Sequence, residues 1–184
     1  FLFLGSGYYD YDNPYDAGFK GRDKFKGTII HPQFWPKDFD HTGKNVVVIG
    51  SGATAVTIVP AMALSGAAHV TMLQRTPTWM VSLPAKDWIA NTLRKFLPEK
   101  IAYAITRAKN IFFQDLMFKR ARNRPDKAKA FLERQLREHL GPNYNEADFT
   151  PPYNPWEQRL CLVPDADFFE AINQGKASVV TDQI

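Results

Sequence analysis

A single cysteine, Cys161, stands in this 184-residue chain, so no internal disulfide can form, and a reducing cytoplasm suits it. The four histidines, His31, His41, His69 and His139, are scattered and lack metal-ligand spacing with cysteine or carboxylates, which argues against a metal centre. No apolar run reaches the roughly 18 residues needed to span a bilayer. Charge of one sign does not dominate: the net charge of +4 fits a protein that meets anionic small molecules and does not demand nucleic acid. Repeats and low-complexity tracts are absent as well. What remains, 45% apolar and 23% charged residues, is the composition of an ordinary globular protein.

The chain opens on Phe1 inside the apolar run Phe1–Leu4, which predicts a buried strand entering a tight turn at Gly5-Ser6-Gly7. Ser178 to Thr181 predict a strand three residues before the other end. The expectation is therefore a fragment of a longer protein. Residues 8 to 43, rich in Tyr, Asp, Pro and Gly, show no helical period and predict a long functional loop or linker.

Asn45–Ile49 is a β-branched run that predicts a buried parallel strand. Ala53–Leu64 is small and apolar throughout, a buried helix with Pro60 as a kink, ended by Gly66. His69–Gln74 predicts the next strand, which completes a βαβ unit over residues 44–84. Residues 85 to 150 predict a helical insertion of about three helices, from Ile101, Ile105, Ala108, Phe112 and Leu116 and then Ala128, Leu132, Leu136 and Leu140 at helical spacing. Residues 151 to 184 return to the nucleotide domain, with Asp165 capping a helix that carries Phe168, Phe169 and Ile172.

Gly50-Ser51-Gly52-Ala53-Thr54-Ala55 is a GxGxxA fingerprint placed between a predicted strand and helix. Gly50 permits the tight turn, Gly52 admits a pyrophosphate to the backbone, and Ala55 lets helix and strand pack closely. The helix N-terminus supplies free N–H groups and partial positive charge. A small-residue turn in an unrelated α/β fold is the bland alternative. At the end of the second strand an NAD site carries an acid for the ribose 2′-hydroxyl. This chain has Gln74-Arg75-Thr76 there, with Arg75 20 residues after Ala55. A guanidinium pairs with a 2′-phosphate in fork geometry and the Thr76 hydroxyl adds a bond, so the expected coenzyme is NADP(H). A solvated surface arginine is the plainer reading.

A second constellation runs from Phe25 through Gly27, His31 and Trp35 to Pro36. On residue types alone it is a turn with a core aromatic and a satisfied histidine. As FxGxxxHxxxWP followed by GxGxxA, it resembles the signature of type I Baeyer–Villiger monooxygenases, within the class B flavin-containing monooxygenases. Gly5-Ser6-Gly7-Tyr8-Tyr9, Gln74-Arg75-Thr76-Pro77, Pro152-Tyr153-Asn154-Pro155-Trp156 and Arg159-Leu160-Cys161 extend the resemblance over nearly the whole chain. The family's usual Pro-Gly segment before the motif is replaced here by Tyr15 to Gly21.

The resemblance implies an α/β fold: a three-layer, Rossmann-like nucleotide-binding domain with a helical insertion, cut from a flavoprotein with two dinucleotide domains. It implies FAD and NADP(H) as cofactors, and O2 and a small organic molecule as substrates. The implied reaction takes a ketone to an ester or lactone through a flavin C4a-peroxide. Gly5, Ser6 and Gly7 match the stretch beside the flavin. Gly50, Ser51, Gly52, Ala53, Thr54 and Ala55 match the NADP pyrophosphate loop, and Gln74, Arg75 and Thr76 match the 2′-phosphate site. Phe25, Gly27, His31, Trp35 and Pro36 match the linker motif in residues 1–43, where His31 acts at a hinge and is not the chemical catalyst. The FAD loop and the catalytic arginine are expected outside these residues. Sulfur or nitrogen oxygenation, and a stand-alone dinucleotide-binding module, are the alternatives. Lys109, Lys119, Arg120, Arg122 and Arg124 beside Phe112, Phe113 and Phe118 fit either a solvated face over a packed core or contact with an anionic membrane surface.

Overall fold

A computed structural model describes residues 1–5, 7 and 10–183, which form two units, residues 1–40 and 41–183. In the first unit, Phe1–Leu4 is exposed and forms no strand, contrary to the sequence expectation. A strand needs a neighbour for its N–H and C=O groups, and no strand lies among the described residues of this unit to provide one. Gly7 does turn, at φ 75°. The rest is loop held by local bonds. Asp10 Oδ1 accepts from the N–H groups of Asp12 and Asn13, each at 3.0 Å. Arg22 pairs with Asp16 at 2.8 Å.

The second unit holds the regular structure. β1 (Asn45–Ile49), α1 (Ala53–Leu64) and β2 (His69–Gln74) fall where the sequence places them. β1 pairs in parallel with β2, Val46 opposite Val70, and β2 pairs in parallel with β5 (Ala177–Thr181), Val70 opposite Ala177. The α/β class with a parallel sheet is as expected. Val70 and Met72 point to the face covered by α1 and by α6 (Asp167–Asn173), where Val56, Val59, Met62, Phe168 and Phe169 complete the core.

β1 is not the buried strand expected of a continuous apolar run. It is the sheet's edge, and its side chains alternate, so Val47 and Ile49 stay 60% and 46% exposed on the face away from α1. Likewise α1 buries only one side. Ala55, Val56, Val59, Pro60, Met62 and Ala63 face inward while Ala61 and Leu64 are exposed, and the helix runs on through Pro60.

A second parallel pair, β3 (Trp79–Leu83) and β4 (Leu160–Pro164), was not legible in the sequence. Between them in the chain come the three expected helices: α2 (Trp88–Phe96), α3 (Glu99–Asn123) and α4 (Pro125–Leu140). Leu132, Leu136 and Leu140 form one buried stripe, and α4 packs on β3 and α6. α3 differs. It buries only Ala102 and Ala121 among its apolar residues, while Ile101, Tyr103, Ile105, Ile111, Phe112 and Phe113 are exposed, so most of its apolar surface lies outside the core. Among the described residues no helix is long and apolar enough to cross a membrane.

A short helix α5 (Glu146–Phe149) leads to the loop before β4. Asp165 does not cap α6; Ala166 precedes the first helical residue, and both have positive φ, 50° and 61°. The Asp165 carboxylate instead accepts from the Ala85 N–H at 2.9 Å, while the Asp165 N–H donates to the Leu83 carbonyl at 3.0 Å. Its side chain thus closes the end of β3 and is not available to the helix.

Candidate functional site: a glycine loop between strand and helix

The loop from β1 to α1 turns on Gly50, at φ 128°, a value that favours glycine. Its N–H donates to the Leu73 carbonyl at 2.8 Å, which extends the β1–β2 ladder into the turn. α1 then begins at Ala53, and the first backbone bond closing it runs from the Val56 N–H to the Gly52 carbonyl at 3.0 Å. The N–H groups ahead of Val56 are left without intrahelical acceptors, beside exposed Ala53 and Thr54. No acidic residue stands in this first turn. The donors and the helix dipole therefore suit an anion. Ala55 is buried where the helix meets the sheet, so its small size allows the close packing.

Ser51 is used differently from its neighbours. Its hydroxyl donates to the Thr76 carbonyl at 3.0 Å and accepts from the Thr78 hydroxyl at 3.0 Å. The Cys161 thiol lies 3.8 Å from the Ser51 carbonyl. Ser51 thus offers a ligand its backbone, because its side chain is engaged inside the fold. Burial pushes the Cys161 thiol up from its ordinary value, against a smaller opposite pull from Arg159.

At the end of β2 the three expected residues separate. The Gln74 side chain is 1% exposed, and its Nε2 donates to the Asp148 carbonyl at 2.7 Å and to Thr181 Oγ1 at 2.9 Å. It points into the sheet interior because the strand's alternation puts it on the face of Val70 and Met72. Arg75, one residue on, is exposed and has no ion-pair partner among the described residues. Thr76 is half-buried with its carbonyl held by Ser51. The structure therefore brings Arg75 and Thr76 to the loop's border and turns the Gln74 side chain inward.

Sequence reasoning gave Arg159 no role of its own. A Cβ placed on Gly52 would lie 3.2 Å from its Nη1, so the guanidinium rests against the glycine at the start of α1. The contact depends on the β3–β4 pair, which sets the chain just before Leu160 beside the loop, and no local pattern announces it. Among the described residues no group of three or more His, Cys, Asp or Glu is placed to hold a metal ion.

The linker motif belongs to the first unit. The Phe25 ring lies on Gly27, where a Cβ would stand 2.6 Å from two ring atoms, so the glycine makes room for the aromatic. His31 precedes a short 3-10 turn, Pro32–Phe34, and its Nδ1 accepts from the Gln33 N–H at 3.2 Å. Gln33 Nε2 in turn donates to the carbonyls of Asp10 and Tyr11 at 2.9 and 2.7 Å. Trp35 is no core aromatic: it is 41% exposed and meets Phe39 edge-on at 5.9 Å, with Pro36 next to it in the chain. Of the flavin-side stretch, Gly5 and Gly7 are exposed, and Ser6 lies outside the described residues.

The chain is 52% identical over 185 residues to the FAD-containing monooxygenase EthA of Mycobacterium tuberculosis, covering all of this chain and 38% of that protein. It is 49% identical over 179 residues to the probable FAD-binding monooxygenase AlmA of Acinetobacter baylyi, covering 97% of this chain and 36% of that one. The chain thus spans well under half the length of these relatives. In fold it resembles an oxidized steroid monooxygenase bound to NADP, with a TM-score of 0.68 over 92% of this chain and 39% of that one at 21% identity. It also resembles OTEMO in complex with FAD and NADP, with a TM-score of 0.66 over 92% and 39% at 23% identity. The family described as FMO-like, flavin-binding monooxygenase-like, matches residues 2–133, and with the two relatives above this shows that the chain belongs to that family.

Proposed function

We propose that this chain is the NADP(H)-binding part of a flavin-dependent monooxygenase that oxygenates ketones to esters or lactones. The observation that carries the coenzyme assignment is Arg75. It is exposed at the end of β2, beside a glycine loop with free N–H groups, and the strand ends without a carboxylate to claim the ribose. Ser51, Gly52, Ala53, Thr54 and Ala55 hold the pyrophosphate through backbone donors on the turn made by Gly50; Arg75 and Thr76 hold the 2′-phosphate; Arg159 adds a cation over Gly52. The names of the two relatives support FAD as the second cofactor. When bound, the flavin supplies the oxygen chemistry, and the part played by these residues is to bind and orient the nicotinamide donor. Trp35-Pro36 in the linker motif supports the Baeyer–Villiger reaction over sulfur or nitrogen oxygenation.

The test uses the full-length protein. Arg75→Ala is expected to weaken NADPH relative to NADH by about ten- to a hundredfold, the worth of a charge-assisted pair of hydrogen bonds. An unchanged preference overturns the coenzyme assignment. Product analysis with a ketone and a sulfide separates the two oxygenation chemistries.

A further inference from the structure

Ser51 sits between the two segments that the proposed function assigns to the coenzyme, and Thr78 holds it there. The Thr78 side chain is 2% exposed, in the connection from β2 to β3, so water is not its alternative partner. Its hydroxyl donates to Ser51 Oγ at 3.0 Å, and Ser51 Oγ has one proton, which goes to the Thr76 carbonyl at 3.0 Å. The bond from Thr78 fills a lone pair on Ser51 and polarises its O–H toward Thr76. Residues 76 and 78 thereby clamp the phosphate loop from a single short connection, and the clamp ends on the carbonyl of Thr76, the residue that follows Arg75.

From this relay we infer that Thr78 is a positioning residue for coenzyme selection: through Ser51 it fixes the distance between the pyrophosphate loop and the Arg75 guanidinium. A coenzyme with a 2′-phosphate must fill both places at once and depends on that distance. A coenzyme without it uses the loop and is indifferent to where Arg75 stands. The inference rests on the NADP(H) reading and adds a residue that touches no coenzyme.

The experiment takes the full-length holoenzyme with Thr78→Val, Thr78→Ser, Ser51→Ala and, as the control on the underlying reading, Arg75→Ala. Thr78→Val is expected to raise the KM for NADPH by about three- to tenfold, the worth of one neutral hydrogen bond, and to leave the KM for NADH within about twofold. Thr78→Ser keeps the hydroxyl and is expected to restore the NADPH value. Ser51→Ala cuts the same relay from the other side and is expected to raise the KM for NADPH more than that for NADH, which keeps the inference testable if Thr78→Val does not fold. A fall in Tm with both KM values unchanged, or an equal rise in both, overturns it. If Arg75→Ala loses the NADPH preference while Thr78→Val and Ser51→Ala keep it, only this inference fails. If Arg75→Ala keeps the preference, the coenzyme reading and this inference fail together.

Discussion

Arg159 rests its guanidinium against Gly52, with Nη1 3.2 Å from where a Cβ would be. Gly52 has φ −79° and ψ 177°, which any residue adopts, so the glycine is required by space and not by backbone strain. Gly52→Ala is therefore expected to fold with a near-normal Tm, because the arginine can swing away, and, on the proposed function, to bind NADPH more weakly because the methyl group would stand where the phosphates approach. Arg159→Ala removes the cation without filling that space and is expected to cost about tenfold in NADPH affinity. NADPH titrations and thermal melts of both full-length variants check this. Unchanged affinity in Arg159→Ala would separate the arginine from the phosphates.

Cys161 is expected to be inert. Burial raises its pKa, so the reactive thiolate is scarcer than in a free thiol, and reagents must also reach a closed site. Alkylation of the Cys161 peptide, followed by mass spectrometry at mildly alkaline pH, is expected to be slow in the native protein and fast in denaturant. The same shift has a stability consequence. The raised folded pKa leaves stability intact below the ordinary thiol range and erodes it as pH climbs from there through the folded value, since the unfolded thiol ionises first.

Asp87 caps α2 by accepting from the Ala90 N–H at 3.0 Å and pairs with Lys109 of α3. The Lys109 ammonium and then the Ala90 N–H hold its carboxyl below the ordinary value. A depressed folded pKa contributes stability above the usual carboxylate range and loses it as pH falls through the lowered value. Asp87→Ala is expected to loosen the α2–α3 pair and to flatten the acid limb of the stability curve. Urea melts across the acid range compare the two proteins, and parallel curves would show that the pair contributes nothing.

How much of this was legible in the sequence depended on the range of the forces involved. β1, α1, β2 and the three helices of residues 85–141 announce themselves because local period and glycine placement determine them. β3 and β4 did not, because each is five residues long and finds its partner some eighty positions away in the chain. Phe1–Leu4 has a strand's composition and no neighbour among the described residues. The same limit applied at the site. The glycine loop and Arg75 lie within one βαβ unit, so local pattern is enough to place them at its strand ends. Arg159 over Gly52, and Thr78 under Ser51, depend on tertiary placement. Gln74 neighbours Arg75 in sequence, but strand alternation turns its side chain into the interior.

The two ring nitrogens of His31 are placed differently in its own loop. Nδ1 accepts from the Gln33 N–H and so caps the turn, which leaves the proton of the neutral ring on Nε2, exposed and without a partner among the described residues. Loss of one such bond biases a local arrangement by about 1 kcal/mol and does not unfold a protein. His31→Ala in the full-length enzyme is expected to stay folded, retain flavin and yield less ester per NADPH consumed, with hydrogen peroxide released or flavin reduced more slowly. His31→Asn divides the roles, since an Asn side chain can still accept from the Gln33 N–H but lacks the imidazole Nε2–H. Coupling lost in both variants assigns the effect to Nε2, and coupling restored by Asn assigns it to the cap. Tm, flavin content, NADPH consumption and ester yield are measured on one preparation of each. Joint loss of Tm and flavin, with normal coupling in the protein that remains folded, would mean that His31 serves the fold alone.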